Sequence, residues 1–448
     1  MKKISGIVCL YLIITGFTGN AQDTLVAPKA PVAKSKKNPI ATSMPRNEKE
    51  WLQNQIDCLT QPTMYGRGYV NGGVDSAAKY LLGQYYRLHL QPVDTDGNFT
   101  QGFAFPVNTF PGKMAFSING DVLNPGADYL IDPASSSFSA EDLDVQKINL
   151  DKIKDASALN GIISSFDGKS AYYLENIAYA CQMLQISRSD FVALLPKGCY
   201  IIPDEKKLSW HVSRETIPAT VFYVKLDLLP KKLKKMTAEV TAVFNPHAWN
   251  VNLIGEAPGI VKDTYIVFTA HYDHLGMMGE SVIFPGGNEN ASGVAMMLSL
   301  ASYFKSHPQR YTLVFIAFAG EEASLMGSEF FTFHPTIPLK NIKFLTNLDM
   351  VGDASDGISV VNATLFPRHF DMLQKINEIG QYVPEITIKG PAANGDQYHF
   401  TEAGVPSFFI FANGGHGFYN DIYDAGDALT LNNATGVAKL LIDFVKQL

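Results

Sequence analysis

The sequence predicts an α/β fold: an α/β/α sandwich around a mainly parallel central sheet, with a smaller subdomain inserted before the main sheet is complete. Three observations predict it. From Val251 onward, apolar runs rich in β-branched and aromatic residues alternate with segments of helical periodicity. Strands buried on both faces and joined by crossover helices have that pattern. Between about residues 110 and 245 the rhythm gives way to short alternating strands and Gly/Pro turns. Polar clusters, finally, fall where the apolar runs end, and functional groups in parallel sheets collect at the carboxyl ends of strands.

At the start of the chain, Lys2 and Lys3 precede an apolar run from Ile7 to Phe17 and the small-residue stretch Thr18-Gly19-Asn20-Ala21. Residues 1–21 therefore have the form of a cleavable secretory signal, and a secreted or periplasmic product is expected. The run is too short to span a membrane, and no later segment stays apolar over the roughly 20 residues a span requires. Cys9 comes too early for a lipidation site. Residues 22–46, rich in Pro, Ala, Lys and Ser without periodicity, read as a flexible tether.

Helical patterning begins at Glu48, and Val74 to Leu88 reads as an amphipathic helix, so residues 47–110 open the main domain. Residues 111–247 form the inserted subdomain, with a strand at Met114 to Ile118. Its basic stretch Lys231-Lys232-Leu233-Lys234-Lys235 reads as a solvated face. Residues 248–448 complete the main domain. Strands are expected at Tyr265–Ala270, Tyr311–Phe318, Phe344–Leu348 and Ser407–Phe411, and helices at Ala291–Phe304, Glu322–Phe331, Phe370–Ile379 and Ala434–Val445. The aromatic density of Tyr398, Phe400, Phe408, Phe409 and Phe411 reads mostly as core.

Composition narrows the function. Hydrophobic residues make up 46% and charged residues 18% of the 448, which suits a globular protein, and the net charge of -7 argues against nucleic acid. With the signal removed, Cys58, Cys181 and Cys199 remain. They allow at most one bridge, with Cys181 and Cys199 the nearer pair, or three buried thiols. The chain holds no CxxC, no Walker loop and no GxSxG elbow, so zinc-ribbon, nucleotide-binding and serine-hydrolase readings lack support.

Four polar clusters follow strands or open helices: His271-Tyr-Asp273-His274, Gly286-Gly-Asn288-Glu289-Asn290-Ala-Ser-Gly293, Glu321-Glu322 and Asp349. Imidazole together with carboxylates is a usual zinc donor set. In His271-x-Asp273 the aspartate is placed to accept the second imidazole N–H and fix the tautomer. Of two adjacent glutamates leaving a strand, one can bind metal while the other takes a proton from water. His274 reads as a supporting or packing residue.

These segments, in this order, resemble the co-catalytic di-zinc exopeptidases, the bacterial leucine-aminopeptidase-like family (family twenty-eight of the metallopeptidases). The quoted residues are Ala270-His-Tyr-Asp-His-Leu-Gly276, the turn Pro285 to Gly293, Phe318-Ala-Gly-Glu-Glu322 with Gly327-Ser328, and Asn347-Leu-Asp-Met-Val-Gly352. The resemblance runs from about Asn250 to the C-terminus, with a weaker echo at Gly66-Arg67. It implies an aminopeptidase fold acting on peptides, with His271 and Asp349 on one zinc and Glu322 on the other. It further implies Glu321 as the general base and Asp273 as the residue orienting His271.

Two positions depart from the family. Glu289 stands where the family has a bridging aspartate, and its extra methylene moves the carboxylate by about 1.5 Å. Asn420, or Tyr423 in a shifted alignment, stands where the family has a histidine, and His416 lies near enough to be recruited. Gly395-Asp396-Gln397 likewise replaces a Ser-Asp-His segment. The expected centre therefore keeps one zinc site, with His271, Asp349 and Glu289. Its second site, with Glu322, Glu289 and Asn420, is all-oxygen and weak, differently metallated or empty. The expected function is a secreted zinc exopeptidase. An inactive peptide-binding relative and a single-zinc glutaminyl-cyclase-like acyltransferase are the alternatives.

Overall fold

Val261–His271 is the pivot of the main sheet. It lies between Tyr311–Phe318 and Ile342–Leu348, parallel to both, and Ser407–Ala412 extends the parallel run on the far side. Their central stretches are apolar because both faces are covered there. Ile266, Val267, Phe268, Val314, Phe315, Ile316, Phe344 and Leu345 are all buried. Beyond this centre the nine-stranded sheet turns antiparallel: Val243–Ala257 runs against Tyr311–Phe318, and Ile358–Val361 against Ser407–Ala412. Its four central strands are parallel, as expected, and so is the edge pair Ile358–Val361 with Ile386–Ile388, whereas Val243–Ala257 runs antiparallel on the other side. The reason is that Val243–Ala257 also pairs antiparallel with Thr100–Thr109, so no crossover helix leads into it.

The computed structural model describes residues 48–93, 96–204 and 207–448. The expected signal at 1–21 and tether at 22–46 lie outside the described residues. Helices Glu48–Thr60, Gly73–Arg87, Gly293–Ser306, Pro367–Gly380 and Ala434–Gln447 follow the periodicity read from the sequence. The expected helix at Glu322–Phe331 instead begins at Met326. Ser324 and Leu325 take φ of 71° and 60°, left-handed values that end one turn before the helix can start.

Strands between Met114 and Val240 build a second, eight-stranded sheet ordered 121–123, 114–118, 235–240, 138–149, 171–175, 198–204, 219–225 and 129–131. Its core includes Phe116 stacked on Phe222 at 4.2 Å, with Tyr129 edge-on to both. Cys58, Cys181 and Cys199 are free thiols, so the Cys181–Cys199 bridge does not form. Among the described residues, no helix is long and apolar enough to cross a membrane.

Candidate metal centre

Three neighbouring strand ends meet at one point. His271 closes Val261–His271, Asp349 follows Ile342–Leu348, and Glu321 and Glu322 follow Tyr311–Phe318. Because His271 sits in register with Phe318, both ends reach the same level of the sheet. Glu289 enters from the turn Gly287–Ser292 that opens helix Gly293–Ser306.

The imidazole is the focus. His271 is fully buried, and its Nε2 lies 2.9 Å from Glu289 Oε1, 3.5 Å from Asp349 Oδ2 and 3.9 Å from Glu321 Oε2. The ligand atoms of His271, Glu321 and Asp349 all lie within 4.8 Å of one another, the spacing of a metal-binding group. Asp349 Oδ1 is buried without a hydrogen-bond partner. One imidazole among several buried carboxylates, one of them holding an unsatisfied oxygen, is a donor set that fits a divalent cation.

The adjacent glutamates diverge. Glu321 turns toward His271 and Asp349, whereas Glu322 Oε1 accepts from His274 Nδ1 at 2.7 Å. The resemblance made Glu322 the ligand and Glu321 the base, yet it is Glu321 that lies in the compact donor group. The chain leaves the strand in a turn, and successive side chains point to different sides of it. His274, expected to support or pack, is fully buried and meets Glu322.

Asp273 does its holding mainly through the main chain. Its carboxylate accepts the N–H groups of Glu321 at 3.3 Å and Glu322 at 3.2 Å, together with the Tyr69 hydroxyl. His271 Nδ1 meets the Asp273 main-chain oxygen at 3.1 Å, with the carboxylate at 3.7 Å. The expected contact to His271 is therefore longer than a hydrogen bond. The carboxylate's firm partners are the two glutamate amides.

The turn bearing Glu289 is tied on every side. Asp424 accepts the N–H of Asn288 at 2.8 Å and of Glu289 at 2.9 Å. Asn290 donates to Leu348 O and accepts from Gly293 N–H, both at 2.9 Å, and Asn288 accepts from Gly352 N–H at 3.0 Å. Gly286 opens the turn at φ 61°, and a Cβ there would meet Glu289 O at 2.2 Å and His274 Cδ2 at 2.4 Å. Only glycine fits.

Behind the turn lies Arg67, completely buried. All of its N–H groups donate to main-chain carbonyls: Nε to Tyr272, Nη1 to Leu59 and Pro285, and Nη2 to Gly286 and Glu289, at 2.7–3.3 Å. It stands in the left-handed turn Tyr65-Gly66-Arg67, where a Cβ on Gly66 would meet Gly276 O at 2.4 Å. Sequence reading noted Gly66-Arg67 only as an echo. Nothing local reveals that a guanidinium near the start of the domain braces a turn more than two hundred residues later.

Asn420 is buried, with Oδ1 unpartnered and Nδ2 3.5 Å from His211 Nδ1. Tyr423 is half-exposed beside Phe418. His416 lies in a cavity of about 320 Å³ with Phe418, Tyr419, Met350 and Leu429. Asp396, to which the sequence assigned no role, is fully buried with both carboxylate oxygens unpartnered.

Protonation follows from this crowding. Burial pushes the carboxyls of Glu289 and Glu321 well up, reinforced by Asp349 at Glu289 and Glu322 at Glu321. Burial likewise raises Glu322 and Asp396 to about 7. For His271, burial acts downward, but Glu321 and Asp349 outweigh it and hold the imidazole well above its ordinary value. His274 is pushed down to about 3 by burial and by the charge of Arg67.

The sign for stability follows. Between about pH 6.5 and 8 the unfolded chain has already lost the protons that folded Glu322, Asp396 and His271 retain, so stability falls as pH rises. His274 acts the other way only below about 6.5, where the unfolded imidazole charges. Chelator-treated protein is therefore expected to melt at lower temperature at pH 8.5 than at pH 6.5. Added divalent cation should recover the loss at the higher pH. A melting temperature that rises over that window would contradict the assignment.

Comparison with known proteins bears on family and fold. Residues 252–445 match the model of Peptidase family M28. Aminopeptidase YwaD of Bacillus subtilis is 37% identical over 121 residues, 27% of this chain and 25% of that protein. A probable zinc metalloprotease of Phaeosphaeria nodorum is 45% identical over 73 residues, 16% of this chain and 15% of its own length. The chain spans about a quarter or less of the curated relatives it matches. Among solved structures, BSAP, a zinc aminopeptidase from Bacillus subtilis, aligns with a TM-score of 0.64 and 18% identity over 90% of this chain and 95% of that one. An aminopeptidase from Aneurinibacillus sp. strain AM-1 aligns with a TM-score of 0.59 and 18% identity over 91% and 95%. At such identities the likeness establishes the fold, and the α/β architecture read from the sequence is the one these structures share.

Proposed function

We propose that the Peptidase family M28 region at residues 252–445 makes this chain a zinc-dependent exopeptidase, an aminopeptidase that removes N-terminal residues from peptides. The observation that carries the reading is His271 Nε2, buried and facing Glu289, Asp349 and Glu321 at converging strand ends. The names of the relatives, a zinc aminopeptidase and a probable zinc metalloprotease, support zinc as the metal.

His271, Asp349 and Glu289 would hold the first position, and Glu322 and Glu289 a weaker second one beside Asn420. A bound cation would polarise the scissile carbonyl and acidify an attacking water. Glu321 takes the proton from that water and returns it to the departing amide nitrogen. Asp273 holds Glu321 and Glu322 in place through their main-chain N–H groups. The surplus of carboxylates favours a cationic α-amine at the site, which supports attack at the N-terminal bond rather than within a chain. The 320 Å³ cavity lined by Met350, Phe418, Tyr419 and Leu429 suits the side chain of the terminal residue. Lys2, Lys3 and the apolar run after them support secretion, which N-terminal sequencing of the mature product would test.

The direct test measures amino-acid release from a panel of N-terminal amides before and after chelation. Turnover should disappear on chelation and return with zinc. A purified protein with no bound metal, and no turnover with zinc, manganese or cobalt, would leave only peptide binding.

A further inference from the structure

The strand ends offer a single metal-facing imidazole, and Asn420 brings none to the second position. An imidazole nevertheless stands beside it. The segment Lys207–His211, which belongs to the part of the chain that builds the second sheet, is strapped across the loop 417–421. Lys207 Nζ donates to Gly417 O at 2.8 Å and pairs with Asp421, and the Trp210 N–H donates to Asn420 O at 2.9 Å. The Trp210 indole is itself locked, donating to Ile131 O at 2.8 Å and stacking on Phe284 at 4.8 Å. These contacts hold His211 against Asn420, with its Nδ1 3.5 Å from Asn420 Nδ2.

We propose that His211 supplies the imidazole of the second metal position, binding with Glu322, while Asn420 orients the ring. This rests on the metallopeptidase reading above. The amide explains the geometry. Asn420 Oδ1 is buried without a partner. Exchanging the amide O and N leaves the heavy-atom positions unchanged and sets Oδ1 against His211 Nδ1–H. A metal-bound histidine ordinarily gives its second N–H to such an acceptor, and its Nε2 is then free to bind. The position lost from one stretch of chain is thus filled from another, and a site that looks all-oxygen in sequence regains the nitrogen that zinc prefers.

The test is metal binding by the full mature chain, read by stoichiometry after reloading with zinc, by zinc affinity in chelator competition, and by the visible spectrum of the cobalt form. Wild type should take up two metals. His211→Ala should weaken the second by at least about 100-fold and change the cobalt spectrum, whereas Asn420→Ala weakens it by about 10- to 100-fold. His416→Ala should change neither. Introducing Asn420→His into the His211→Ala background should restore the second metal. His211 is exposed, so the metal-free His211→Ala protein should melt with the wild type, which separates ligand loss from misfolding. A second metal held as tightly by His211→Ala as by wild type overturns the proposal, as does a wild type that takes up only one. Those results leave the peptidase reading standing, whereas a wild type that binds no metal removes both.

Discussion

Glu321→Gln is expected to lower kcat by about 100- to 10,000-fold, the usual contribution of a positioned general base. The amide keeps the size and most of the packing of the carboxylate but cannot accept a proton from water. The variant also separates two roles that the structure brings close together. Glu321 Oε2 lies 3.9 Å from His271 Nε2, inside the donor group with Asp349, whereas Glu322 is hydrogen-bonded to His274. If Glu321 is the base, metal content stays at the wild-type level while turnover collapses. If metal is lost in step with activity, Glu321 is a ligand, and the base must be sought at Glu322. Parallel metal analysis and single-turnover rates on one preparation decide the matter. Turnover within a few-fold of wild type would remove both roles.

Arg67→Met should destabilise the fold by about 3–5 kcal/mol, the typical result of removing one partner from a buried charged network. The methionine fills most of the volume, so the loss is one of hydrogen bonding. Carbonyls of Leu59, Tyr272, Pro285, Gly286 and Glu289 lose this donor at once, but Gly286 O keeps the Ala291 N–H and Pro285 O is only part-buried, so the loss stays below the sum of about 1–3 kcal/mol per unpaired acceptor. Asp424 and Asp273 lose a nearby positive charge as well. Burial lowers the guanidinium only to about 10, so it is charged at neutral pH and its removal unbalances the site. Because it braces the turn bearing Glu289, metal affinity should fall with stability. Denaturant midpoints and zinc competition check both. A midpoint shift worth less than about 1 kcal/mol would show that water replaces the guanidinium at little cost. Arg67→Lys should fall between, since an ammonium keeps the charge but has three donors for five acceptors.

How the strap reaches the loop also bears on the fold. The second sheet is more than an appendage to the first, because Trp210 is buried between Ile131 O and Phe284. Sequence texture distinguished that region, but its strands alternate and turn without marking any residue as functional. His211 carried no signal beyond being a histidine in a loop.

What the sequence determined by itself was the order of elements and the chemistry at their ends. Tyr265 to Ala270 and Tyr311 to Phe318 are near-continuous apolar runs, as expected of strands buried on both faces of a sheet. His271, Glu321, Glu322 and Asp349 follow such runs directly, so their convergence needs only that the strands be neighbours. Glu289 and Asn420 were visible as departures because they sit in quoted motifs.

Tertiary structure alone decided which atoms meet. The direction in which Glu321 and Glu322 diverge depends on left-handed Ser324 and Leu325 and on two amides captured by Asp273. The bracing of the Glu289 turn depends on Arg67, 222 residues earlier, and on Asp424, 135 residues later. The imidazole beside Asn420 comes from a segment 209 residues away. Periodicity reports which face of an element is buried, a local property of a few consecutive side chains. Contacts between loops are set by how separately formed layers pack, and no local pattern encodes that packing.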